Sequence, residues 1–310
     1  MARTIIRQEW FAQFENARRK KEPKVEKSYP MAFVETPGRI EFRERKLQEL
    51  HDHDVLIKVK AASICGSDLH IFRGAHPSVS FPVPIGHELS GEVYKIGSRV
   101  SKLKAGDRVV VEPVIVCGLC DSCKRGYYNL CRNISFHYRE GQGGFASYFI
   151  ADENWVHLLP DNISYEEGAM IEPLAVGIHA VKKAGLQFGH STAVFGAGPI
   201  GLIVLLLTKL VGWGEVFVLD ILDVRLQKAR ELGASLVINN TAQDAVGQIL
   251  DKTGELGVDQ SFEAVGLEKT LIQSLEILRK GGRSILVPKQ ARMRMKITVE
   301  PGPKNLRNLS

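Results

Sequence analysis

The sequence of 310 residues contains few cysteines and no long hydrophobic run. Its five cysteines all lie between residues 65 and 131, and four of them form one cluster. Because the charged N-terminus carries no secretory signal, the odd count and the clustering favour metal binding over a disulfide framework. The apolar run at residues 200–207 is much shorter than the ~20 residues that a membrane-spanning helix needs. These absences predict a cytoplasmic protein that has no membrane partner.

A strong charge is also missing from the body of the chain, although the net charge is +6. Residues 1–29 hold eight Lys/Arg and four Glu, and residues 288–310 hold six Lys/Arg and one Glu, which leaves −3 for residues 30–287. Basic ends of this kind are usually solvated, so we expect no nucleic-acid partner. We interpret residues 1–29 as a basic extension, with an amphipathic helix around Trp10 as one structure that its pattern allows, and residues 288–310 as an atypical basic tail.

The hydrophobic pattern divides the body of the chain into two domains. Residues 30–175 contain short runs in which β-branched and polar residues alternate, as at residues 55–60, with Gly, Asp and Pro between the runs. This pattern predicts a small β-barrel-like domain. From residue 176 to residue 287, predicted strands alternate with predicted helices, beginning with a strand at 192–195 and a helix at 199–211. Such alternation predicts an α/β domain with a doubly wound parallel sheet.

A glycine-rich turn follows the first predicted strand of the α/β domain. Gly196, Gly198 and Gly201 form the pattern G-x-G-x-x-G, with Ile200 inside it. In such a turn the first glycine allows a tight bend, the second lets the backbone approach a pyrophosphate, and the third packs helix against strand. Asp220 follows Gly201 by 19 positions, where a carboxylate can bind a ribose hydroxyl and repel a 2′-phosphate. The sequence therefore predicts NAD binding, in preference to NADP.

The four clustered cysteines have the spacing of a metal site. They are separated by two, two and seven residues, at Cys117, Cys120, Cys123 and Cys131. This spacing suits a closed, tetrahedral zinc site that stabilises a loop. An iron–sulfur cluster is disfavoured because the last gap is long and no proline follows Cys131. Four free thiols are disfavoured because exposed thiolates oxidise.

The fifth cysteine belongs to a second group of candidate ligands. Cys65, His87 and either Glu88 or Glu172 offer the sulfur, nitrogen and oxygen atoms that zinc accepts. Three protein ligands would leave one tetrahedral position open for water or substrate, as in catalytic zinc sites. With 21 residues between Cys65 and His87, the spacing alone does not establish a metal site.

Taken in this order, the motifs resemble those of the zinc-dependent medium-chain alcohol and polyol dehydrogenases, above all the sorbitol and butanediol dehydrogenase branch. The resemblance runs from about residue 31 to residue 287. Its matching segments, besides the four cysteines and the glycine-rich turn, are residues 64–70, 86–88, 106–109, 159–162 and 171–180. It implies a GroES-like catalytic domain at residues 30–175 and a Rossmann domain at residues 176–287.

The resemblance also implies a reaction, the zinc- and NAD-dependent oxidation of a secondary alcohol of a polyol or vicinal diol to a ketone. One catalytic zinc would be held by Cys65, His87 and Glu88, and Glu172 would bind that zinc directly or through its water. Asp68 would orient a histidine ligand. The Ser67 hydroxyl would take the proton of the alcohol and pass it towards His70.

Further implications concern the cofactor and the assembly. A second, structural zinc would occupy the four-cysteine site. Ile200 and Arg225 would lie along the NAD, with Arg225 near the adenosine ribose. The partner would be a small-molecule alcohol, and members of the family are usually homodimers or homotetramers.

The chain departs from the family pattern at two places. Ile71 stands where sorbitol dehydrogenases tend to carry an aromatic residue, so we expect a more apolar pocket, in which a butanediol competes with sorbitol as substrate. After Val287 the family pattern is not continued, so we expect an α/β fold that is C-terminally incomplete. Two alternatives follow: threonine dehydrogenase activity, whose motif around the cysteine is similar, and a truncated, non-catalytic protein that binds zinc and nucleotide.

Overall fold

A computed structural model describes residues 28–77, 79–212, 214–241 and 244–287. Both basic ends of the chain, with the helix considered around Trp10, lie outside these residues, apart from residues 28 and 29. Within the described part, no helix combines the length and the apolar composition that crossing a membrane requires.

The first part of the described chain is built mainly of antiparallel strands. Its elements are β1 (Ser28–Thr36), β2 (Arg39–Lys46), β3 (Asp54–Ser63), α1 (Gly66–Phe72), β4 (Val83–Pro84), β5 (Glu88–Ile96), β6 (Arg108–Val111), β7 (Val114–Ile115), α2 (Asp121–Lys124), β8 (Ser135–Phe136), β9 (Tyr148–Asp152) and β10 (Val156–Leu158). The main sheet has the order β10-β6-β5-β3-β9, a second sheet has the order β2-β1-β4, and β7 pairs with β8.

Alternation along β3 explains why this part folds as a barrel-like layer. Val55 and Ile57 point into one apolar cluster, which also contains Phe149 of β9. Leu56 points to the opposite side and joins a different cluster, with Met31 of β1. Because both faces of β3 are buried, the sheet must curve or be covered on each side, and the second sheet supplies that cover.

The second part of the described chain alternates between helices and strands. Its elements are α3 (Tyr165–Ala169), α4 (Ile171–Ala184), β11 (Thr192–Phe195), α5 (Pro199–Val211), β12 (Val216–Asp220), α6 (Asp223–Glu231), β13 (Leu236–Asn239), α7 (Ala245–Lys252), β14 (Val258–Glu263), α8 (Glu268–Glu276) and β15 (Leu278–Leu286). All strands are parallel, in the order β13-β12-β11-β14-β15. The order reverses direction between β11 and β14, and ligands of such sheets bind beyond the carboxyl ends of the strands at that point.

Most predicted elements of this second part have nearly the predicted bounds. The strand at 192–195 and the helix at 199–211 are found without change. The apolar pattern of the sequence predicts a helix at 268–278 and the last strand at 283–287. In the structure the helix ends earlier, at Glu276, and β15 is longer and begins at Leu278.

Helix α4 packs closely on α5. A Cβ atom on Gly177 would lie 2.4 Å from Cγ2 of Ile203, so only a glycine lets the two helices approach this far. Helix α4, whose second residue is Glu172, also contacts β5 of the antiparallel part. Helix α4 therefore places a carboxylate where the two parts of the chain meet.

Candidate zinc and dinucleotide sites

One buried carboxylate, Asp68 of α1, brings Cys65 and His87 together. Its Oδ2 accepts a hydrogen bond from the backbone N–H of Cys65 at 2.8 Å, and its Oδ1 accepts one from the backbone N–H of Gly86 at 3.2 Å. The same Oδ1 lies 3.6 Å from Nδ1 of His87. Asp68 thereby joins the start of α1 to the segment before β5. It lies beside the ring of His87, where the family resemblance implies that it orients a histidine ligand.

Three side chains converge beside Asp68. The Sγ of Cys65, a ring nitrogen of His87 and a carboxylate oxygen of Glu88 lie within 4.8 Å of one another. Cys65 and Glu88 are buried, at 7% and 5% exposure, whereas His87 is partly exposed. Thiolate, imidazole and carboxylate are the ligand types of catalytic zinc sites, so the residues fit a zinc ion.

The charges at this site also favour a bound cation. Burial lowers the pKa of His87, but hydrogen bonds to Asp68 and Cys65, together with their charges, outweigh burial and raise the pKa to about 10. The imidazole thus keeps a positive charge beside Asp68 and Cys65. A divalent cation supplies that charge and displaces the proton.

Glu172 is not one of the three converging ligands. It is the second residue of α4 and is partly exposed. It follows Ala169 by three positions, and the carbonyl oxygen of Ala169 lies 3.5 Å from Oγ of Ser63 at the end of β3. The segment before Glu172 therefore lies beside Ser63, the strand partner of Glu88.

Ser67 and His70 lie one helical turn apart in α1, and both are partly exposed. Residues at this spacing share one face of a helix, which is the arrangement that the predicted proton relay requires. The next residue, Ile71, is only 4% exposed and packs against Val34 and Val83 in an apolar cluster. The side chain of Ile71 therefore contacts the core of this domain, and its effect on the substrate pocket stays a prediction.

The other four cysteines form a second group, whose Sγ atoms lie within 4.8 Å of one another. Backbone N–H groups of Arg132 and Cys123 lower the pKa of Cys120 to about 6, whereas burial and the neighbouring thiols raise the pKa of Cys123 to about 12. Backbone hydrogen bonds also lower the pKa of Cys117, so the cluster favours the thiolate at two of its cysteines and resists it at Cys123. Four thiolates become stable together when a cation neutralises them, and this donor set fits a closed zinc site.

His137, next to the four-cysteine loop, leads to a prediction on pH. It is 5% exposed, its Nε2 lies 3.2 Å from the carbonyl oxygen of Glu112, and its ring meets Phe149 edge to face at 5.2 Å. Burial lowers the pKa of His137 to about 4, although the hydrogen bond to Glu112 opposes this. Because a histidine of the unfolded chain is protonated below about pH 6.5, the contribution of His137 to the free energy of unfolding is complete above that pH. It should fall by up to about 3 kcal/mol as the pH drops towards 4.

Urea unfolding between about pH 7 and pH 5 measures this effect. His137→Gln keeps a hydrogen-bond donor but cannot titrate, so we expect a shallower loss of stability than in the wild type. His179→Gln, at an exposed position of α4, is the matched control and should leave the slope unchanged. Equal slopes for wild type and His137→Gln would contradict the prediction.

The glycine-rich turn between β11 and α5 has the geometry of a dinucleotide site. A Cβ atom on Gly201 would lie 1.7 Å from the carbonyl oxygen of Gly196, so this position needs a glycine. Gly196 itself has a φ of +95°, a backbone conformation that also favours glycine. A Cβ atom on Gly198 would instead meet nothing within 4 Å. The second glycine thus borders open space at the N-terminus of a 13-residue helix, where a pyrophosphate fits. Ile200 packs partly against the core cluster of the sheet.

Asp220, at the end of β12, has a structural role that the sequence did not reveal. Its Oδ2 accepts a hydrogen bond from the backbone N–H of Ala197 at 2.7 Å. Its Oδ1 accepts two more, from Ile221 at 2.8 Å and Leu222 at 3.0 Å. Nη1 of Arg225 lies 3.6 Å from Oδ2. The carboxylate therefore fixes the glycine-rich turn, and Oδ2 keeps capacity for one further donor beside Arg225.

Comparison with known proteins agrees with this geometry. Residues 51–161 match the family model of the alcohol dehydrogenase GroES-like domain, and residues 199–309 match that of the zinc-binding dehydrogenases. Sorbitol dehydrogenase of Bacillus subtilis is 39% identical over 85% of this chain and 76% of its own length. The chain belongs to the zinc-dependent alcohol dehydrogenase family. L-idonate 5-dehydrogenase of Vitis vinifera is also similar, with 41% identity over 78% of this chain and 68% of its own.

Solved structures of the family extend the likeness to three dimensions. A zinc-binding dehydrogenase of Sinorhizobium meliloti bound to NADP has a TM-score of 0.83 and 32% identity, covering 89% of this chain and 81% of its own. Butanediol dehydrogenase of Bacillus subtilis has a TM-score of 0.78 and 36% identity, covering 86% and 79%. The fold expected from the sequence, a GroES-like domain plus a Rossmann sheet, is confirmed. The protein is a dehydrogenase of this family, which works with zinc and a nicotinamide cofactor.

Proposed function

We propose that the protein oxidises a secondary alcohol of a polyol or vicinal diol to a ketone, with one catalytic zinc and NAD. The observation that carries this proposal is the convergence of Cys65, His87 and Glu88, a ligand set that leaves a coordination position open. Relatives named as sorbitol dehydrogenase, D-xylulose reductase and butanediol dehydrogenase support the choice of substrate class.

The residues of the site divide the chemistry between them. Cys65, His87 and Glu88 would hold the zinc, which when bound polarises the alcohol oxygen as a Lewis acid, while a bound NAD accepts the hydride. Ser67 takes the alcohol proton as it gives its own to His70, which releases the proton to solvent. Asp68 keeps the imidazole of His87 turned towards the other ligands. Glu172 orients a water at the edge of the site.

We make three further proposals, on the structural zinc, the domain bounds and the assembly. A second zinc is held by Cys117, Cys120, Cys123 and Cys131 and stabilises their loop without taking part in the reaction. The catalytic domain spans residues 30–175 and the dinucleotide domain spans residues 176–287, so the boundary falls inside α4. The protein assembles as a homodimer or homotetramer.

The choice of NAD over NADP rests on Asp220. Its carboxylate would repel a 2′-phosphate, whereas Arg225 beside it would attract one. We predict that Asp220→Ser weakens NADH binding and improves NADPH binding, shifting the ratio of the two dissociation constants by roughly 10–100-fold, the equivalent of one charge-assisted hydrogen bond. Cofactor fluorescence titration measures both constants. Adding Arg225→Gln to Asp220→Ser should remove the gain for NADPH, and a wild type that prefers NADPH would contradict the assignment.

A substrate panel tests the proposed function. NADH formation is followed by absorbance with sorbitol, xylitol, butanediol and threonine, and we expect turnover with a polyol or with the diol. Turnover with threonine alone would replace the proposal by threonine dehydrogenase activity. Bound zinc and NAD without turnover of any alcohol would instead indicate a non-catalytic protein.

A further inference from the structure

A serine outside the motifs of the site contacts one of the candidate zinc ligands. Ser63 is the last residue of β3, and Glu88 is the first residue of β5. The two residues are direct partners in the antiparallel pairing of these strands. The Oγ of Ser63 donates a hydrogen bond to Oε2 of Glu88.

This hydrogen bond matters because Glu88 is buried. At 5% exposure its carboxylate has little water to solvate it, and Ser63 satisfies one of its two oxygens. With Oε2 held, the carboxylate cannot rotate freely about its last bond, and Oε1 is left for another partner. Carboxylates that bind a metal usually have such a hydrogen-bonded neighbour, which fixes their orientation.

The hydroxyl of Ser63 has a second possible acceptor. The carbonyl oxygen of Ala169, at the end of α3, lies 3.5 Å from the same Oγ. A serine has one proton to donate, so its bond to Glu88 excludes an equal bond to Ala169. A carboxylate oxygen is a stronger acceptor than a backbone carbonyl, so the bond to Glu88 is favoured.

We propose that Ser63 is a positioning residue that holds the carboxylate of Glu88 in the orientation in which it binds the catalytic zinc. This inference rests on the proposed function, since it assumes a zinc ion at Cys65, His87 and Glu88. It adds a residue that acts on the affinity of that ion without touching the substrate.

Zinc affinity tests the proposal without any turnover. In Ser63→Ala the zinc dissociation constant at the catalytic site should rise roughly 10–100-fold, the usual effect of removing a partner of a metal ligand. Competition with a chromogenic chelator measures it, and the same titration of Cys65→Ser, which keeps the four-cysteine site, identifies the contribution of the catalytic site. Ser63→Thr keeps a hydroxyl and should bind zinc as the wild type does.

Ser90 offers a matched control on the same strand. It is fully buried in β5, two residues beyond Glu88, and its hydroxyl donates to the carbonyl of Tyr165 in α3. Ser90→Ala therefore removes a comparable hydroxyl that contacts no ligand. Equal zinc affinity in Ser63→Ala and wild type, or an equal loss in Ser63→Ala and Ser90→Ala, would overturn the proposal and leave the proposed function intact. A wild type that binds zinc only at the four cysteines would overturn both.

Discussion

Replacing Cys65 by serine is expected to lower turnover by about 10³-fold or more and to remove one of two zinc ions. A Lewis-acid metal contributes several kcal/mol to stabilising the reacting oxygen, and each 1.36 kcal/mol corresponds to about a tenfold change in rate. Cys65 supplies the only thiol among the three converging ligands in the described part of the chain, and it is buried. Metal content by mass spectrometry and initial rates of NADH formation measure the two effects.

The four-cysteine cluster provides the matching variant. Cys120→Ser should remove the other zinc ion and lower the unfolding temperature, while the catalytic zinc stays bound. Cys65→Ser should change the unfolding temperature much less, because its site lies between elements that are packed by other contacts. A Cys65→Ser protein that keeps two zinc ions and normal turnover would exclude Cys65 as a ligand.

Replacing Gly201 by alanine is expected to have the second large effect. The new Cβ atom would lie 1.7 Å from the carbonyl oxygen of Gly196, so the start of α5 must move away from β11. Forced overpacking of this kind typically costs about 1–3 kcal/mol or more. We therefore expect both a lower free energy of unfolding and a weaker affinity for NADH.

Gly198 is the control for that experiment. A Cβ atom there meets nothing within 4 Å, so Gly198→Ala should leave the free energy of unfolding nearly unchanged. It should nevertheless weaken NADH binding, because the methyl group takes the space that the pyrophosphate needs. Equal unfolding free energies for the two variants would contradict this account of the turn, and so would unchanged NADH binding in both.

Much of the fold could be predicted because its signals are local. The turn at Gly196, the helix that begins at Pro199 and the strand Val258–Glu263 each follow from glycine spacing or apolar periodicity. The parallel sheet then follows from the alternation of strands and helices. The end of α8 was less predictable, because the pairing of β15 with β14, and not a stop signal, decides where the helix gives way to a strand.

The candidate site was predictable in its residue types but not in its supporting contacts. Cys65, His87 and Glu88 could be named from their chemistry and from the resemblance. Ser63 could not, because its link to Glu88 depends on the register between β3 and β5. The core position of Ile71 could not be predicted for a similar reason, since adjacent positions of a short helix face different surroundings.

Two buried aspartates show the same principle at the two sites. Asp68 binds the backbone N–H groups of Cys65 and Gly86, and Asp220 binds those of Ala197, Ile221 and Leu222. Each carboxylate joins two segments that are distant in sequence and adjacent at a site. The sequence motifs predict that Asp220 binds a ribose hydroxyl and that Asp68 orients a zinc ligand. The structure shows that both carboxylates also hold the backbone of their sites.

An isotope experiment shows directly whether hydride passes from a carbinol carbon to NAD. The zinc-loaded protein is incubated with NAD and with sorbitol or butanediol deuterated at the carbinol carbons, and the reduced cofactor is examined by mass spectrometry. We expect the wild type to form reduced cofactor that carries one deuterium, and we expect Cys65→Ser to form none. Reduced cofactor without deuterium, or no reduction with either alcohol, would contradict the proposed hydride transfer.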